Sequence, residues 1–278
     1  MWIFFSVLLV IVAALVIFFK LPFSKTKSEF NNLIGYKTTA APKYSDVFTE
    51  EDIKDLPSPV QKYFRYCGYL GKPKMSYMKA TFSDVDFKMS ESRTVKIDYT
   101  QYNFVEKPER FALISSSLFG IPFEGFDSYG DGTGSMVGRL AKIIALFDQR
   151  GKSMDKACLV TILAESLIVP NAALQDYIIW ETIDDTHARA VISYYGISAD
   201  GIFTFDENGK WLSFKTSDRV ATDMNGNERQ AEWSAIISDY KDNNGILQPA
   251  VLQSIWHYPE GDSIYFNENK VGVSIEYY

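Results

Sequence analysis

Residues 76–104 read SYMKATFSDVDFKMSESRTVKIDYTQYNF, and the fold is decided in that stretch. Apolar side chains at Ala80, Phe82, Val85 and Phe87, and again at Val95, Ile97 and Tyr99, alternate with polar ones, the period of a half-buried strand. The polar residues around Ser90 to Ser92 predict the turn that pairs the two strands.

The strand signal continues at 110–115 and 118–129, then past the turn Tyr129-Gly-Asp-Gly-Thr-Gly134 to 136–140. It resumes at 177–183, 188–195, 201–205, 211–216, 231–240, 250–256 and 271–277. Turn residues separate these runs at Asp184-Asp185, Glu207-Asn208-Gly209, Asn225-Gly226 and Asn243-Asn244-Gly245, and connections this short make antiparallel neighbours. One long helix interrupts the series over 154–169, capped by Ser153, with Asp155 in its first turn and Pro170 as its stop. The expected fold is mainly β (α+β): a curved antiparallel sheet, closed into a barrel or left as a half-barrel, with one substantial helix packed in or on it.

Ahead of the sheet, Thr49 followed by Glu50, Glu51 and Asp52 opens a short helix, and Ser58-Pro59-Val60-Gln61 reads as a capping box opening a second that Gly68 ends. Residues 20–44 lack periodicity and read as a tether. Residues 1–19, MWIFFSVLLVIVAALVIFF, carry no charged side chain, and a helix of that length spans about 28 Å, close to the hydrocarbon core of a bilayer. The run lacks the basic start and small-residue cleavage site of a secretory signal, so it is expected to stay as a single-pass anchor. The division is therefore 1–19 transmembrane helix, 20–44 tether and 45–278 a single β-rich domain. Lys20, Lys25 and Lys27 on the helix's C-terminal side favour the cytoplasm by the positive-inside rule.

The net charge of −7 and pI near 5.0 leave no basic footprint, so nucleic acid is not an expected partner. Cys67 and Cys158 form no CxxC pair and are expected as two buried thiols rather than a disulfide. No metal site and no cofactor are expected. The densest ionisable group, Glu181, Asp184, Asp185 and His187, sits where a strand turn would place it anyway. Glu165 stands out as an acid amid an apolar helix, one turn from Thr161 on the same face. It is either a functional carboxyl, a solvated stripe, or an anchor bonded to the strands. Aromatic residues are 15% of the chain and fall at alternating strand positions, where they line a cavity or fill a core. The candidate ligand-binding residues are Glu165, Thr161, Trp180, Phe119, Phe123, Phe205 and Trp233.

Leu56-Pro-Ser-Pro-Val-Gln-Lys-Tyr-Phe64, Asp127-Ser-Tyr-Gly-Asp-Gly-Thr-Gly-Ser-Met136, Leu163-Ala-Glu165, Trp180-Glu-x-Ile-Asp184, Phe205-Asp-Glu-Asn-Gly209 and Ser274-Ile-Glu-Tyr277 together resemble a widespread bacterial family of proteins of unknown function, often with N-terminal membrane segments. The pattern departs at Thr161-Ile162, where the resemblance implies an arginine followed by an aromatic residue, and this weakens an Arg–Glu165 pairing. In architecture the chain is also similar to lipoprotein carriers of the LolA and LppX type, which implies an anchored half-barrel holding a lipid or other hydrophobic ligand outside the cytoplasm. The rival readings are an envelope enzyme using Glu165 or the Glu181/Asp184/His187 group, and a protein-interaction module.

Overall fold

The structure is a computed structural model describing residues 1–90, 93–223 and 226–278. The strands read at 76–104 are β1 (Tyr77–Ser90) and β2 (Arg93–Phe104), antiparallel from Tyr77↔Phe104 to Ser90↔Arg93. Of the expected turns, Glu91 and Ser92 in one and Asn225 in another lie outside the described residues. Phe82 and Val85 stand three apart because the register slips there at a β-bulge, with Asp84 at φ 58°. The extra residue keeps Phe82 and Phe87 facing the same cavity.

From β1 the chain runs as a meander through β2, β3 (Glu109–Leu118), β4 (Ile121–Gly130), β5 (Thr133–Leu140) and β6 (Ile144–Arg150). The second arm comprises β7 (Ile178–Thr182), β8 (His187–Tyr194), β9 (Ile197–Phe205) and β10 (Trp211–Thr216). A two-stranded ribbon, β11 (Val220–Thr222) with β12 (Glu228–Gln230), precedes β13 (Glu232–Asn243), β14 (Ile246–Tyr258) and β15 (Gly261–Phe266). The arms meet at β1, which pairs with β2 on one side and on the other with β15 (Phe87↔Phe266) and β16 (Ser274–Tyr277; Met78↔Tyr277). The result is one curved antiparallel sheet whose path runs β6-β5-β4-β3-β2-β1-β15-β14-β13-β10-β9-β8-β7, unclosed between β6 and β7: a half-barrel.

Five helices accompany it among the described residues: α1 (Trp2–Lys20), α2 (Lys25–Ala40), α3 (Glu50–Ile53), α4 (Ser58–Tyr66) and α5 (Lys152–Glu165). Helix α5 lies in the concavity and touches both arms, β3 to β6 and also β8 and β9. It starts earlier than its sequence suggests, because Gly151 at φ 103° rather than Ser153 forms the N-cap. It ends at Glu165 instead of 169. The turns that follow present their carbonyls to two tyrosines: the Tyr63 hydroxyl donates to Leu167 O and that of Tyr277 to Ile168 O, each at 2.8 Å. Groups that a helix end leaves unpaired inside a core are thus satisfied by α4 and by β16. The capping box read at Ser58 does not form. Gln61 instead donates to the carbonyls of Lys54 and Leu56 at 3.0 and 2.8 Å, while the box at Thr49 closes with Asp52.

The expectation of an irregular tether over 20–44 is corrected by α2, which Ser24 caps through the Lys27 N–H. Its Phe30 and Ile34 are buried against Phe104 and Phe111, and Phe30 meets Phe126 edge-on at 5.7 Å. Phe126 belongs to the face of β4 opposite Phe123 and Asp127, so α2 covers the convex side of the sheet. Lys142, 4% exposed in the β5–β6 turn, donates to the carbonyls of Phe18 and Leu21 at 2.9 and 2.5 Å and so holds the C-terminal end of α1. The rest of α1 is uncovered, with a mean hydropathy of 3.0, and is long and apolar enough to cross a membrane.

Phe30→Ala should remove about 3 kcal/mol of docking energy from α2. Amide exchange over 25–40 is expected to accelerate while that of β1 to β5 stays slow; unchanged exchange over 25–40 would mean that α2 is not held by this contact.

Candidate functional site

Where α4 and α5 lie against β8 to β10, aromatic side chains close-pack: Tyr63 meets Phe205 and Trp211, and Phe203 meets Phe214. Over β13 to β15 and the far half of β1 no helix fills the concavity, and a cavity of about 620 Å³ remains. Its walls are Phe82, Phe123, Phe147, Trp233, Trp256 and Phe266, with α5 on one side and the β11–β12 ribbon on another. Gln149 of β6 donates to Asp223 O at 2.7 Å, so the ribbon reaches across to the edge of the first arm.

At the floor, Arg110 from β3 is surrounded. Its Nε donates to Glu165 at 2.8 Å, Nη1 to Asp127 at 2.6 Å, and Nη2 to the hydroxyl of Tyr99 at 2.6 Å and to Gln101 Oε1 at 3.2 Å. Glu165 also accepts from Asn103 at 2.7 Å and Gln101 at 3.1 Å. Burial opposes the charge on Arg110, but Glu165, Tyr99 and Asp127 outweigh it and hold the guanidinium protonated well above its usual range. Burial pushes the Tyr99 phenol far up, so it stays neutral. Of the three readings of Glu165, the geometry is that of an anchor: a carboxylate saturated with donors from two strands. Glu165 is paired with an arginine all the same, Arg110, and Thr161 Oγ1 accepts from Nη1 of Arg219 at 3.1 Å.

Four of the seven candidate residues, Phe123, Thr161, Glu165 and Trp233, come together on the cavity. The other three lie away from it. Phe119 sits at the β3–β4 turn, 94% exposed, because the strand ends one residue before it. Phe205 lies in the filled part of the core, under Tyr63. Trp180, on the edge strand β7, packs on Phe203 and donates to Ala173 O at 2.9 Å. Arg110 and Arg219 were not visible in the sequence.

Both cysteines are free and buried, and burial raises their thiol pKa values. Glu181 bonds Arg189 at 2.7 Å, whereas Asp184 pairs with His187 at 2.9 Å, so the acidic group does not converge. On the convex face Ser234 Oγ, His257 and Asp262 form a chain with 2.7 Å links. Ser234 is in mid-strand between Lys215 and Ile255, its backbone within the sheet ladder, and the cavity lies on the opposite face. The chain resembles a triad in spacing, but Ser234 is 3% exposed and its side chain is on the face away from the cavity.

A half-barrel of antiparallel strands around one buried helix, with a cavity between helix and sheet, is the class this architecture defines. Residues 46–268 match the family of unknown function DUF6544, and the chain belongs to that family. No curated protein matches it. Among solved structures it is similar to a protein domain from Vibrio parahaemolyticus described as sorting outer membrane lipoproteins, at 12% identity and a TM-score of 0.42, covering 73% of this chain and 85% of that one. It is also similar to a LolA superfamily protein from Nitrosomonas europaea (9%, 0.41, covering 80% and 92%) and to a DUF1329 family protein from Desulfovibrio piger (12%, 0.34, covering 73% and 86%).

Removing one partner of a buried ion pair strands the other. Arg110→Met should therefore cost about 3–5 kcal/mol of stability in chemical denaturation. Glu165→Gln, which leaves Asp127 on the arginine and keeps an acceptor in place, should cost about 1–3 kcal/mol. Equal losses would contradict the arrangement.

Proposed function

We propose that the protein is a single-pass membrane-anchored binding protein for a lipid or similar hydrophobic ligand, with α1 as the anchor, residues 45–278 as the domain that binds, and the cavity as the site. The cavity carries the reading: its volume has room for roughly twenty groups of water or methylene size at ~30 Å³ each, and a closed core would not leave such a space unfilled. Its position supports the same reading. β6 contributes Phe147 and begins just beyond the turn whose Lys142 holds α1, so the cavity stands beside the membrane. Phe119 and Ile143 are exposed at neighbouring hairpin tips next to that point, joined by the Ala141 N–H to Pro122 O bond at 2.7 Å. A ligand drawn from the bilayer would meet apolar surface before it meets the cavity. In this reading the domain lies outside the cytoplasm, against the small opposite bias of the three lysines that flank α1.

Full-length protein extracted in mild detergent should carry a hydrophobic molecule of defined mass in native mass spectrometry. Ala235→Trp, which puts an indole into the cavity, should abolish that species with little change in melting temperature. Equal retention by both proteins would remove the cavity as the site. Protease added to intact spheroplasts should digest the domain; a fully protected domain would put it on the cytoplasmic side.

A further inference from the structure

Two arginines line the cavity, and their surroundings differ. Arg110 has two carboxylates, a phenol and an amide around it. Arg219, between β10 and β11, has one hydroxyl, that of Thr161. Its guanidinium carbon lies 4.7 Å from the ring centre of Trp233 and 5.6 Å from that of Trp256. Among the described residues no carboxylate stands at ion-pair distance from it, since Asp127 and Glu165 are spent on Arg110 and the adjacent Asp218 on Lys156. Four buried side-chain polar atoms lack a partner among the described residues: Glu124 Oε2, Tyr129 Oη, Ser166 Oγ and Arg219 Nε. Only the last belongs to a residue lining the cavity.

The two indoles account for part of this, because a cation between aromatic faces is stabilised by their quadrupoles. They do not bond its N–H groups. Among the described residues Nη2 has no hydrogen-bond partner, so a donor on a fixed cation faces the cavity. Arg219 is half-buried with its Nε shut off from solvent, and a partly desolvated cation without a counter-ion favours an anion that arrives with its own apolar tail and fills the space. The floor cluster of Arg110, Asp127 and Glu165 carries one net negative charge, which directs the incoming anion to the tryptophan side. Lys88, bonded to Ser263 Oγ at 3.0 Å, and Arg229 bring positive charge to the lining, where Asp223 and Glu228 of the ribbon bring negative charge.

Building on the cavity reading above, we infer that the ligand is an anionic amphiphile whose carboxylate or phosphate bonds Arg219 between Trp233 and Trp256 and whose alkyl chain occupies the rest of the cavity. Arg219 then sets specificity for charge, whereas the aromatic walls set it for apolar bulk.

The test is a native mass spectrometry titration of the full-length chain in detergent with palmitic acid, methyl palmitate and hexadecyl phosphate. The acid or the alkyl phosphate should bind at least ~10-fold more tightly than the ester, a difference of about 1.4 kcal/mol. Arg219→Gln should bring both anions down to the ester's affinity without changing the ester's own. The stronger of the two anions identifies the head group. If acid, phosphate and ester bind alike, or if R219Q keeps the preference, the charge assignment fails while the cavity reading stands. If none of the three binds to the wild-type chain, the cavity reading fails and takes this one with it. Should R219Q lose the ester as well, R219K decides: a retained preference for the anions upholds the assignment and its loss overturns it.

Discussion

The interior is organised around one guanidinium. Arg110 reaches from β3 into the concavity and binds Glu165 at the end of α5, Asp127 on β4 and Tyr99 on β2. Four elements are fixed relative to one another by a group that tolerates little displacement, because each N–H has a partner at a set angle. Such a cluster is weak evidence for added stability, since desolvation offsets much of the attraction. Its effect is geometric: it sets how far α5 slides along the sheet and which of its sides turns toward β13 to β15. The apolar remainder of α5, from Ala157 to Ala164, packs between the two arms, and its other end is held by Asp155, which accepts from the Gly134 N–H, and by Lys156, which pairs with Asp218.

Much of the sheet was legible because alternation is a local property. Even the bulge at Asp84 is written in the spacing of Phe82 and Val85. β6 and β15 were overlooked for the opposite reason. In β6, Ile144 and Leu146 are exposed, so the residues there do not sort into a buried and a polar face. Helix α2 packs through three apolar side chains, Phe30, Leu33 and Ile34, a correct helical spacing diluted by Ser, Thr, Asn and Lys on every side. Glu165 and Thr161 could be found because a single helix face displays both. Arg110 lies 55 residues from Glu165 and Arg219 lies 58 from Thr161, and a lone arginine in or near a strand has no pattern that announces such a partner.

Periodicity also could not divide the aromatics. Phe203 and Phe205 follow the same inward parity as Trp233, yet the first two are covered by packed side chains and the third borders empty space. The difference depends on where α4 and α5 come to rest, and that is a tertiary outcome. With the helices on the β8 to β10 side, the other part of the concavity is left to the indoles, the ribbon and Arg219.

The position of β1 has a consequence for the order in which the domain can be made. It is the first strand in the chain and lies where the two arms of the sheet meet, but the edge it offers to β15 and β16 waits for residues 261–277, nearly two hundred positions later. Contacts of such separation form slowly and late. While the ribosome is still working through the second arm, the meander β1 to β6 therefore ends in an open strand edge, that of β1, and Tyr277 is not yet present to hold the end of α5. A nascent chain of this design depends on protection of that edge until synthesis reaches its final strand.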